Sequence, residues 1–177
     1  CSSPTRNEAI SPEGALVRIV VVGGGSWGTA FSVLLREREH DVVLACRDPE
    51  QANAIASTGR NPRYLSSVRL DGVGACAISA APFEEVDLVV VAVPSRSFAE
   101  VVAGLPGDAP VLSLTKGLDP ATGERLSTLV RDRPVAVLSG PNISEEIARS
   151  LPAAAVVACD ALELAVRLQL AITSTVF

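Results

Sequence analysis

Gly23, Gly25 and Gly28 stand in a G-x-G-x-x-G spacing between the apolar run 17–22 and a segment of helical character. Each glycine has a chemical use in that setting. The first allows a tight turn, the second lets an anion come close to the backbone, and the third lets the helix pack against the strand. Free amides at the helix start then meet the anion, so strand, glycine turn and helix together point to dinucleotide binding. At the end of the next apolar run stand Arg47 and Asp48. An acid there accepts a ribose 2′-hydroxyl and an arginine accommodates a 2′-phosphate. Asp48 is better placed as a helix cap ahead of Pro49, which leaves Arg47 nearest the strand end and favours NADP, with NAD also accommodated. Lys116 is the single lysine against fourteen arginines and follows the apolar run 111–114. An ammonium at the carboxyl edge of a sheet would hold an anionic substrate and stabilise charge on a reacting oxygen.

These residues need a frame, and the pattern of the chain supplies one. Strands are expected over 17–22, 42–46, 75–79, 87–93, 111–114, 135–138 and 154–158, with a further one at 175–177. Helices are expected over 27–38, 49–57, 97–104, 123–131, 143–149 and 162–170. Such alternation predicts right-handed crossovers that build a doubly wound, mostly parallel, Rossmann-like α/β sheet. Continuous apolar strands such as 17–22 fit a sheet covered on both faces. Residues 1–16, polar and carrying two prolines, read as a disordered lead-in. Residues 17–177 then form one nucleotide-binding domain that looks cut at its C-terminal end, in a chain without any methionine.

The net charge of −5 and pI near 4.9 leave no basic face for nucleic acid. No apolar run is long enough to span a bilayer. Cys1, Cys46, Cys76 and Cys159 are far apart and lack a C-x-x-C pair, so free thiols in a reducing cytoplasm are expected, with no metal site. His40, in REREHDVV, reads as a solvated turn residue. There is no internal repeat or low-complexity stretch.

Five segments, in order, carry a resemblance to the NAD(P)-dependent glycerol-3-phosphate dehydrogenases, particularly the bacterial type. They are GGGSWGTAF at 23–31, NPRYL at 61–65, VAVPSRSF at 91–98, SLTKGL at 113–118 and SGPNISEEIA at 139–148. The likeness runs from about residue 17 to the end. It implies that Gly23, Gly25, Ser26, Trp27, Gly28, Arg47, Tyr64, Pro94, Lys116 and Ser144 lie at the cofactor, NADP or NAD. Trp27 would offer a flat apolar wall and one N–H donor, or else anchor the helix start. Phe98 suits either the nicotinamide end or the core, and Tyr64 either covers the cofactor or pins its loop. Lys116, Gly140 and Asn142 are implied to hold the substrate. Asn142 and Ser144 stand where many members carry serine and alanine.

The resemblance further implies hydride transfer between NAD(P)H and dihydroxyacetone phosphate, giving sn-glycerol 3-phosphate for glycerophospholipid synthesis. The proton-transfer lysine is expected in a helical C-terminal domain beyond Phe177. Residues 1–177 alone are therefore expected to bind dinucleotide without turnover, and a homodimer is left open for the intact protein. Two alternatives stand beside this one. One is another Rossmann dehydrogenase, ketopantoate-reductase-like or 6-phosphogluconate-dehydrogenase-like, against which the T-K-G and G-P-N segments speak. The other is a nucleotide-sensing module without a reaction.

Overall fold

A computed structural model describes residues 16–177. The lead-in expected over 1–16 lies outside the described residues except for Leu16. Seven strands form one sheet: β1 (Arg18–Val22), β2 (Asp41–Cys46), β3 (Gly74–Ala77), β4 (Leu88–Val91), β5 (Val111–Ser113), β6 (Val135–Ser139) and β7 (Val156–Cys159). Their order across the sheet is β3-β2-β1-β4-β5-β6-β7. All neighbours are parallel except β6 and β7, which pair antiparallel from Ala136 opposite Cys159 to Ser139 opposite Val156.

Alternate residues of the central strands feed two cores. Ile19 and Val21 of β1, with Leu44, Leu88, Val90 and Leu112, face one side. There they meet Phe31, Leu34 and Leu35 of α1 (Ser26–Glu37) and Leu164 and Leu168 of α5 (Leu162–Ile172). Val20, Val22, Val89, Val91 and Val111 face the other side, against Phe98 of α3 (Ser95–Ala103) and Leu126. Such two-sided burial is why β1 and β4 read as unbroken apolar runs. The second helix, α2 (Pro49–Thr58), begins as expected: Asp48 caps it by accepting a 2.9 Å bond from the Glu50 amide, and Pro49 occupies the first turn. Gly59, at φ 65°, closes it in the left-handed conformation.

Three expectations are corrected. The helix expected over 123–131 is only a 3-10 turn at Leu126–Leu129. Its first residues are taken by a tight loop in which the Glu124 carbonyl accepts from the Asp119 amide (2.9 Å) and Leu118 bridges Arg125. The Thr128 hydroxyl, donating to the Arg125 carbonyl at 2.7 Å, then competes with helix propagation. Residues 175–177 are not a strand. The Ser174 hydroxyl accepts from the Val176 and Phe177 amides, curling the segment so that the Phe177 ring meets Phe31 edge-on at 6.4 Å. His40 is not a solvated turn residue but 5% exposed. Its Nδ1 accepts from the Val17 amide at 3.4 Å and its Nε2 lies 2.8 Å from the Ala171 carbonyl, tying the start of β1 to the end of α5.

Candidate dinucleotide cleft

The chain leaves β1 towards β2 on one side and finds β4 on the other, so the connections diverge at the carboxyl ends of β1 and β4. Open α/β sheets bind ligands in the crevice at such a switch point. Here it is a cleft of about 250 Å³, floored by Gly23, Gly24 and Gly25 and walled by residues following β2 and β4. Arg47, Tyr64 and Pro94 line it.

The three motif glycines are not equivalent. Gly23 has φ +120°, and a Cβ there would collide with the Ala92 carbonyl oxygen. A Cβ on Gly28 would run into the carbonyl oxygen of Gly23, so α1 can approach β1 only without a side chain at that point. Gly25 is the exception: a Cβ there would meet nothing within 4 Å. Its φ of −79° is open to any residue, so neither conformation nor internal packing accounts for glycine. Gly25 is among the residues that line the cleft. Gly25 is also the N-cap of α1 and gives no side-chain cap, which leaves the first-turn amides for an incoming anion.

A buried polar brace holds this loop in shape. Asn61 is 0% exposed and donates to the Gly24 carbonyl (3.0 Å) and the Thr29 hydroxyl (2.8 Å). Gln51, also buried, donates to the same carbonyl at 2.7 Å and to Asn61 Oδ1 at 3.0 Å. The same Asn61 oxygen accepts from the Arg63 and Tyr64 amides, so the NPRYL segment is fastened to the glycine loop. Gln51 and Asn61 were missed as site residues. The only signal was the NPRYL segment itself, and no spacing rule links it to residue 24.

The charged lining is also informative. Arg47, Arg63 and Arg96 against Asp48 give the cleft a net charge of +2 in a chain of net charge −5. Asp48 is held below the ordinary carboxylate range, first by the Glu50 amide and then by the Arg63 guanidinium bonded to it. Cys46 lies directly under the loop, its sulfur 2.7 Å from where a Cβ on Gly24 would sit. Burial, with smaller contributions from Cys76 and Asp48, pushes its thiol up to about 11.

The remaining expected residues divide. Phe98 is 0% exposed and packs in the second core, outside the residues that line the cleft. It is the buried residue of α3. Trp27, in the first turn of α1 beside Ser26, packs against the first core with its ring 5.9 Å from that of Phe31. It is outside the residues lining the cleft, and its indole nitrogen is buried without a hydrogen-bond partner among the described residues. Beyond β5, Lys116 Nζ donates to the Gly140 carbonyl at 2.7 Å, and the Asn142 amide donates to the same oxygen at 2.9 Å. Lys116, Gly140 and Asn142 are thus brought together. Both side-chain amide atoms of Asn142 are buried and without a partner among the described residues. Such groups are costly unless a ligand satisfies them. Ser144 opens the four-residue helix α4 (Ser144–Ile147) just beyond. Among the described residues no cluster of His, Cys, Asp and Glu could hold a metal ion, and no helix is long and apolar enough to cross a membrane.

A switch-point cleft, a bare glycine in its floor and a cationic lining define a Rossmann-type dinucleotide-binding domain. The chain belongs to the NAD-dependent glycerol-3-phosphate dehydrogenase N-terminus family, which matches residues 18–165. It is 41% identical over 159 residues to the glycerol-3-phosphate dehydrogenase [NAD(P)+] of Nocardia farcinica, covering 81% of this chain and 47% of that one. The Streptomyces avermitilis enzyme of the same name is 41% identical over 166 residues, covering 88% and 49%. The crystal structure of glycerol-3-phosphate dehydrogenase from Coxiella burnetii superposes with a TM-score of 0.84 at 27% identity, covering 92% of this chain and 52% of that one. The chain spans about half the length of the curated relatives it matches.

Proposed function

We propose that the cleft binds NADP(H) or NAD(H), and that the chain is the dinucleotide half of a cytoplasmic sn-glycerol-3-phosphate dehydrogenase. The single observation that carries the cofactor assignment is Gly25, a glycine that neither the backbone conformation nor the packing of the protein requires. A pyrophosphate passing over it would meet the first-turn amides of α1, an interaction worth about 0.3–1 kcal/mol from the helix dipole alone. Arg47 and Tyr64 would hold the adenosine end, and Ser26, Pro94 and Ser144 would border the rest of the cofactor.

The cofactor supplies the hydride, and the protein supplies binding, orientation and charge. Lys116 would hold the phosphate or reacting oxygen of dihydroxyacetone phosphate and stabilise negative charge there. Its ammonium is already positioned by the Gly140 carbonyl, so its place is fixed before substrate arrives. Asn142, with an unsatisfied donor and acceptor, would orient a substrate hydroxyl or carbonyl. The product, sn-glycerol 3-phosphate, would enter glycerophospholipid synthesis. The proton-transfer group belongs to none of residues 1–177 in this scheme.

The test uses the sole tryptophan. Trp27 fluorescence of the 177-residue chain, titrated with NADPH and then NADH, should be quenched saturably. The same chain should show no NADPH oxidation when dihydroxyacetone phosphate is added. A folded chain that responds to neither nucleotide, by fluorescence or calorimetry, would sink the cofactor assignment.

A further inference from the structure

The end of β2 presents an apparent contradiction, an acid and an arginine side by side where cofactor specificity is decided. A free carboxylate there would accept a 2′-hydroxyl and repel a 2′-phosphate. The carboxylate of Asp48 is not free. One oxygen accepts from the Glu50 amide at 2.9 Å, and the other is bonded to the Arg63 guanidinium. Arg63 reaches it from a segment anchored elsewhere, since its amide donates to the buried Asn61 at 3.1 Å. Arg47, Asp48 and Arg63 line the same cleft.

On the premise that this cleft holds a dinucleotide, we propose that Arg63 is a positioning residue for cofactor choice. It masks the charge and the hydrogen-bonding capacity of Asp48, so that the rim presents Arg47 to a 2′-phosphate. The site then selects the phosphorylated dinucleotide because a residue fifteen positions away cancels the acid beside Arg47, and Arg63 acts through Asp48 without touching the ligand itself.

A double-mutant cycle on the 177-residue chain separates the possibilities, with affinities for NADPH and NADH read by calorimetry. The wild type should favour NADPH. Arg63→Ala should weaken NADPH about tenfold, as expected for an unmasked like charge beside the phosphate, and leave NADH binding as tight or tighter, because the freed carboxylate can accept the 2′-hydroxyl. Arg63→Lys should retain most of the preference. Adding Asp48→Asn, which keeps a helix-capping side chain, should restore NADPH binding in the Arg63→Ala background. Circular dichroism confirms that each variant is folded. An unchanged preference in Arg63→Ala overturns the proposal, as does a loss that Asp48→Asn fails to restore, because Arg63 would then contact the phosphate directly. A wild type that prefers NADH also overturns it while leaving the cleft a dinucleotide site. Failure of the folded wild type to bind either nucleotide removes the premise and the proposal together.

Discussion

Replacing Asn61 with alanine tests whether the brace under the glycine loop is structural, functional or both. The side chain is fully buried and makes five hydrogen bonds, two donated and three accepted. The Gly24 carbonyl keeps its bond from Gln51, so little is lost there. The Arg63 and Tyr64 amides lose their acceptor and the Thr29 hydroxyl loses a donor. At about 1 kcal/mol for each hydrogen bond lost, the loss comes to roughly 3 kcal/mol. For a domain of this size 1 kcal/mol shifts the melting temperature by about 2–4 °C, so a fall of about 6–12 °C is expected by circular dichroism. Dinucleotide affinity should fall together with stability, by about tenfold or more, because the same bonds fix the loop that faces the ligand. Asn61→Asp, which keeps the acceptor but not the donors, should lose affinity as well. A melting temperature within about 2 °C of wild type for Asn61→Ala would refute the brace.

Other outcomes follow from the same geometry. Asp48 has its folded pKa lowered by the Glu50 amide and by Arg63. The stability its carboxylate contributes is therefore present above the unfolded value of about 4 and is lost as pH falls through the lower folded value. The gap in melting temperature between wild type and Asp48→Ala should be full at pH 7 and close as pH is lowered below about 4. Cys46, buried and with a pKa of about 11, should resist iodoacetamide at pH 8 in the native chain and react once urea unfolds it. Mass spectrometry of the labelled peptides reads this, and native labelling of Cys46 would contradict its burial.

Much of the sheet was legible because its strands are covered on both faces and their residues say so locally: 17–22 and 87–93 admit no other reading. The N-cap of α2 was legible for a similar reason, since Asp48 and Pro49 act within one helix. The failures share a cause. His40 is flanked by charged residues and reads as solvent-exposed, but α5, more than a hundred residues later, brings a carbonyl to its ring. The segment 123–131 has helical composition, but its first residues serve the loop closed by Asp119, Thr122 and Glu124. Phe98 could have faced cleft or core, and only the packing of α3 into the second core places it. The site follows the same division. Gly23, Gly25 and Gly28 declare themselves because strand, turn and helix are contiguous. Gln51, Asn61 and Arg63 do not, because they act on residues 24 and 48 across space.

The measurement that reaches the central claim most directly compares Gly25→Ala with wild type, by melting temperature and by Trp27 fluorescence titration with NADPH and NADH. Gly25 has open space before it and an unstrained φ, so the melting temperature should stay within about 2 °C while dinucleotide affinity falls at least about tenfold. Equal affinity in the two proteins would mean that no ligand passes over Gly25, and the cleft would not be the dinucleotide site.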